Sequence, residues 1–93
     1  MNAATFSERA ERDFEEIIQF TTATWSVAQA VRYQAILEDA IDLLLRFPEM
    51  GRRFRHYRRY DVGSHVVFYR RVPAGLRIVR ILHKRMLPEL WLN

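Results

Sequence analysis

The sequence predicts an α+β domain, with an N-terminal helical hairpin packed on one face of a small antiparallel β-sheet. Three observations carry this. Residues 7–47 place apolar side chains at the 3.6-residue period of an amphipathic helix, with one interruption near Trp25. Pro48-Glu49-Met50-Gly51 then ends that pattern, because proline drives its predecessor out of α space. Beyond it, two runs rich in β-branched and aromatic residues, 65–72 and 76–83, flank Pro73-Ala74-Gly75, as in a β-hairpin.

Taken in order, residues 2–6 form a weak candidate for an edge strand. Ser7 offers an N-cap, with Glu8 and Glu11 in the first turn where acids favour the helix dipole, and Thr5 with Glu8 fits a capping box two residues earlier. Ala10, Phe14, Ile17, Ile18, Thr21 and Trp25 form the apolar stripe of a helix reaching about residue 23, and the acids are read as solvated faces. Ser26-Val27-Ala28-Gln29 has the form of a second capping box. The helix it opens runs to Phe47, roughly 30 Å at ~1.5 Å per residue, with Ala30, Tyr33, Leu37, Ala40, Ile41, Leu44 and Leu45 on its stripe. Two helices joined by a few residues fold back antiparallel, and the sheet must cover what remains of their stripes.

A strand over 58–62 turns at Gly63-Ser64 into the hairpin, giving three strands in a meander. Alternation puts Val67, Tyr69 and Arg71 on one face and Val66, Phe68 and Arg70 on the other. In the second arm it sets Leu76, Ile78, Arg80 and Leu82 against Arg77, Val79, Ile81 and His83. Both faces hold apolar residues, so the sheet is expected to be covered on one side and partly on the other. The tail Leu87-Pro88-Glu89-Leu90-Trp91-Leu92 is expected to pack down, with Trp91 as its anchor.

With 93 residues the chain is read as one domain, 1–93, large enough for a single core. It has no cysteine, which excludes disulfides and thiolate metal sites and suits a reducing cytoplasm. No signal pattern opens the chain and no apolar run reaches the length of a membrane span, so no membrane partner is expected. The net charge of +4 is unevenly spread. Residues 1–50 hold four Arg and nine acids, a balance of −5, whereas 51–93 hold eleven Lys/Arg and two acids, a balance of +9. That split points to an anionic partner for the C-terminal half, either nucleic acid or an acidic protein segment.

His56, His65 and His83 have no metal-binding spacing, no glycine-rich phosphate loop exists, and neither metal nor cofactor is expected. His83, beside Lys84 and Arg85 at a strand end, is the best-placed acid or base, although a ring packed at the sheet end with one nitrogen bonded to backbone explains it better. Arg52, Arg53, Arg55, Arg58 and Arg59, interleaved with Phe54, Tyr57 and Tyr60, read as a patch for nucleic acid or an acidic partner, or equally as a strand with Tyr57 or Tyr60 packed and the arginines solvated. The residues alone thus leave open a basic binding domain and a metal-independent RNase.

The helical hairpin, Phe47-Pro48-Glu49-Met50-Gly51-Arg52, the run from Val62 to Arg70, and Ile78-Val79-Arg80-Ile81-Leu82-His83-Lys84-Arg85 resemble, in order, the ParE branch of the ParE/RelE toxins of bacterial toxin–antitoxin pairs. The resemblance implies a cytoplasmic toxin neutralised by an antitoxin whose acidic, amphipathic C-terminal segment wraps it, with room for higher-order assembly. RelE-type relatives cut mRNA on the ribosome with a strand arginine, a C-terminal arginine and a tyrosine. Arg85 matches the second, but Val66 stands at the first and Trp91 at the third. A valine cannot stabilise developing negative charge and an indole has no hydroxyl. The resemblance therefore implies a non-enzymatic inhibitor of DNA gyrase, and the basic C-terminal region, Arg80, Lys84, Arg85 and Trp91, is the leading candidate for the target contact. The alternatives are a ribosome-dependent mRNase in which His83 or His65, with Arg85, supplies the chemistry, and a free nucleic-acid-binding module that relies on residues 52–59.

Overall fold

The computed structural model describes residues 2–92. Strand β1 (Ala3–Phe6) leads into helices α1 (Glu8–Thr24) and α2 (Val27–Arg46), followed by β2 (Arg52–Phe54), β3 (Tyr57–Val62), β4 (His65–Val72), β5 (Gly75–His83) and a single turn of helix, α3 (Pro88–Trp91). The two serine caps form as expected: Ser7 Oγ accepts from the Ala10 N–H and Ser26 Oγ from the Gln29 N–H, both at 3.0 Å.

The five strands lie in the order β1-β5-β4-β3-β2. The expected meander is there, lengthened by β2, which pairs with β3 through Arg52–Phe54. The sheet as a whole is mixed, since β1 runs parallel to β5. The reason lies in the junction with α1: Ser7 donates its N–H to the Ile78 carbonyl (3.0 Å) and its hydroxyl to that of Val79 (2.8 Å). The helix cap thus continues where the short edge strand stops, and β1 must run toward it.

The helices cover one face. Ala10, Ile17, Leu37, Ile41 and Leu44 meet Val67, Tyr69, Leu76, Ile78 and Ile81, with Phe14 and Tyr33 at the margin. On the other face Val66, Phe68 and Leu82 are covered by the C-terminal tail through Leu92. Faces in β4 follow the alternation, but those in β5 do not. Phe68 pairs with Arg80 and Tyr69 with Ile78, so Val79 is one residue too many. This bulge turns Ile81 to the helices and leaves Arg80 and Leu82 on the opposite side from Ile78.

Two expected anchors change. Trp25 is 71% exposed, because α1 ends there and its position no longer faces the core. In the tail Leu92 is 3% exposed while Trp91 is 44% exposed. The turn after Pro48 is pinned from within: the buried Tyr69 hydroxyl donates to the Pro48 carbonyl (2.7 Å) and accepts from the Gly51 N–H (3.0 Å). A Cβ at position 51 would lie 2.5 Å from that oxygen, so only glycine admits the bond.

Candidate binding cleft

Where α1 leaves the sheet, an open cleft of about 680 Å³ runs between its C-terminal half, the start of α2 and the end of β5. Ile17, Phe20, Trp25 and Tyr33 form its helical wall, with His65, Ile81 and His83 on the sheet side and Met86 and Trp91 at the tail end. Phe20 and Trp25 project at its rim, 66% and 71% exposed.

Its sheet side is held by a three-ring cluster. Register pairs His65 with His83, and their rings meet edge to face at 5.3 Å. His65 Nδ1 lies 2.7 Å from the Tyr33 hydroxyl, which also accepts from the Ser64 N–H (3.1 Å) and lies 3.2 Å from the Val62 carbonyl. The β3–β4 turn is therefore closed around the tyrosine, and Gly63 takes φ +55° directly against that ring. Burial, then the neighbouring His83, lowers the His65 pKa to about 4, against a smaller opposing effect of Asp13. Burial also raises the pKa of Tyr33. His83 Nδ1 accepts from the Arg85 N–H at 3.1 Å, so a neutral His83 carries its proton on Nε2.

At the cleft floor, Asp13 binds Arg80 through both carboxylate oxygens, to Nε at 2.8 Å and to Nη2 at 3.1 Å. The same carboxylate takes the Ile81 N–H at 2.9 Å, and Arg80 Nη1 donates to the Trp91 carbonyl at 2.7 Å. β1 pairs with β5 only as far as Ile78, so Asp13 supplies the partner that the strand lacks beyond it.

The sequence-selected residues are distributed accordingly. Arg80, expected at the target surface, is buried and committed to Asp13 and the tail. The bulge and the proximity of α1 give it a partner inside. Lys84 and Arg85 are exposed just past β5, and Trp91 lines the cleft. His65 and His83 come together, whereas His56 lies exposed in the β2–β3 turn. The basic patch divides by face. Arg53 pairs with Arg58 and, like Tyr69 opposite Arg58, lies on the helix side, where Arg58 donates to the Gly51 carbonyl at 2.8 Å. Arg52 and Arg59 lie on the other face, and Arg55 sits in the turn with φ 56°. Among the described residues no group of three or more histidine or acidic side chains could hold a metal. No described helix is long and apolar enough to cross a membrane.

Asp13 is the group that sequence reasoning missed. Its signal was present: it stands three residues after Ala10 and four before Ile17, inside the apolar stripe rather than on a solvated face.

Comparison with known proteins decides the family. Residues 4–88 match the family described as ParE toxin of type II toxin-antitoxin system, parDE. The chain belongs to the ParE toxin family. It is 37% identical over 90 residues to Toxin ParE1 of Caulobacter vibrioides, covering 92% of this chain and 93% of that one. Toxin ParE1 of Mycobacterium tuberculosis is 39% identical over 85 residues, covering 86% and 87%. A solved structure titled as the chromosomal ParDE TA system from P. aeruginosa superposes with a TM-score of 0.76 at 15% identity, over 89% of this chain and 96% of that one. That likeness extends the ParE fold to the helical hairpin and mixed sheet seen here.

Proposed function

We propose that this ParE-family toxin acts by binding, that its target is DNA gyrase, and that an antitoxin encoded beside it neutralises it. The observation that carries the reading is the cleft, whose apolar wall ends in the exposed Phe20, Trp25 and Trp91. A wall of that kind suits an amphipathic protein segment laid along it. An antitoxin segment with spaced apolar anchors would fill it, and acidic residues in that segment would meet the C-terminal half with its balance of +9.

Support for binding over catalysis comes from the RelE-like positions. Val66 is 2% exposed, packed with Phe68 and Leu92, so no charged group stands there. His65, with its pKa near 4, is a poor proton acceptor at neutral pH, and its Nδ1 is engaged by Tyr33. The pairing of His65 with His83 beside an open cleft favours the RNase alternative enough to test it. Induced expression in a bacterial host should stop growth, and co-expression of the adjacent gene for an acidic, amphipathic tail should restore it. Growth unaffected by the toxin, or arrest that such a neighbour never relieves, would count against the proposal.

A further inference from the structure

The sheet sets arginine directly against arginine at three places: Arg52 with Arg59, Arg53 with Arg58 and Arg70 with Arg77. Like charges opposite one another on an antiparallel ladder are destabilising. Register shows which pairs share a surface. Tyr69 and Ile78 point to the helices, so Arg70 and Arg77, one step along each strand, point away from them. Arg59 stands opposite Phe68 on that same helix-free face, and Arg52 joins it there. Among the described residues the salt bridges are Arg71–Glu49 and Arg80–Asp13, so none of these four arginines has a carboxylate partner. Among the described residues Arg77 donates to the Thr5 hydroxyl, at 3.5 Å. Arg59 lies over the Phe54 and Phe68 rings, with its Nε buried and unpartnered.

We propose that this four-arginine face binds the phosphate backbone of duplex DNA. Anions seated between paired guanidinium groups would relieve the cross-strand repulsion, and guanidinium matches phosphate in two-pronged geometry. Duplex fits better than single strand because the rings on this face are already used. Phe68 is fully buried, Phe54 is covered by Arg55 and Arg59, and Tyr57 is partly buried against the same cluster, so little aromatic surface remains for bases to stack on. The Arg52/Arg59 and Arg70/Arg77 pairs are centred two strands apart and two residues along, roughly 12 Å, and a groove of B-DNA is about 6 to 12 Å wide. An acidic protein segment fits less well, because Val66, Phe68 and Leu82, the apolar centre of this face, are already covered by Leu92. The inference goes beyond the gyrase reading, and either can fail without the other.

The test is fluorescence anisotropy of the purified chain with a mixed-sequence duplex of about 20 base pairs, titrated between about 50 and 200 mM salt. The affinity should fall with a log–log slope of about −3 to −4, the value for some four phosphates neutralised. The triple variant Arg52→Gln/Arg70→Gln/Arg77→Gln should bind at least about tenfold more weakly, with the slope reduced by two to three, roughly one for each arginine lost. Its melting temperature should hold or rise, because repulsion is removed while Arg59 stays packed. Arg12→Gln/Arg32→Gln, on the helices, should bind like the parent chain. Equal duplex binding by the triple variant would overturn the proposal. So would tighter binding of a single strand of the same length, or of a polyglutamate peptide, than of the duplex.

Discussion

Asp13 accepts three hydrogen bonds through two oxygens, from Arg80 Nε, Arg80 Nη2 and the Ile81 N–H, and thereby ties α1 to the unpaired end of β5. Removing one member of such a pair strands a buried charge, at a typical cost of 3–5 kcal/mol. Asp13→Ala should therefore remove a large share of the ~5–15 kcal/mol available to a domain and lower the urea midpoint, and an unchanged midpoint would show that the pair is open to water. His65 offers a second residue-scale test. Its ring faces Tyr33, His83 and Asp13, and its folded pKa near 4 lies below the ordinary 6.5. As pH falls the unfolded chain takes up the proton first. The contribution of a neutral His65 is therefore complete above about 6.5 and is lost progressively toward 4. Melting temperature should drop more between about pH 7.5 and 4.5 for the parent than for His65→Asn, whereas parallel curves would place the ring in solvent.

At the scale of elements, the described part of the C-terminal tail is fastened chiefly by Leu92 and by the Arg80 hydrogen bond to the Trp91 carbonyl. α3 has no buried residue, Leu92 closes the second cluster, and Arg80 holds the Trp91 carbonyl. Leu92→Ala should thus cost about 2–5 kcal/mol, whereas Trp91→Ala, losing a half-exposed ring, should cost less. Lys84 and Arg85 are exposed, so Lys84→Ala/Arg85→Ala should leave thermal melting nearly unchanged while weakening toxicity in cells without antitoxin. A double variant that is well folded and fully toxic would remove this strand end from the target surface. The helices and the β4–β5 hairpin were legible because periodicity, serine caps and Pro48 act locally. The parallel placement of β1, the bulge at Val79 and the burial of Arg80 were not. Each depends on which edge of β5 stays unpaired once α1 has crossed it, and that is settled only by tertiary packing. The same cause moved the tail anchor from Trp91 to Leu92. Of the candidate site, the meeting of His65 with His83 depends on the same bulge, since the register set at the turn, Val72 with Gly75, would otherwise put Leu82 opposite His65, while Tyr33 joins them only because α2 reaches over the β3–β4 turn.

For the molecule as a whole, the two halves of the chain divide the labour. The acidic half supplies the helical wall of the cleft, with exposed Phe20 and Trp25, and the basic half supplies the sheet and strand ends where cations collect. Such a division lets one partner be recognised by apolar shape and another by charge, which is what a toxin that meets both an antitoxin and a target requires. The function proposed for this protein is inhibition of gyrase by binding rather than the cutting of RNA. The most direct measurement is a paired assay on the purified protein, with plasmid supercoiling by DNA gyrase in one arm and integrity of a transcript on translating ribosomes in the other. Supercoiling should fall as toxin is added while the transcript stays whole. Normal supercoiling together with codon-positioned cuts in the transcript would contradict the claim and return His65 and His83 to the centre of the chemistry.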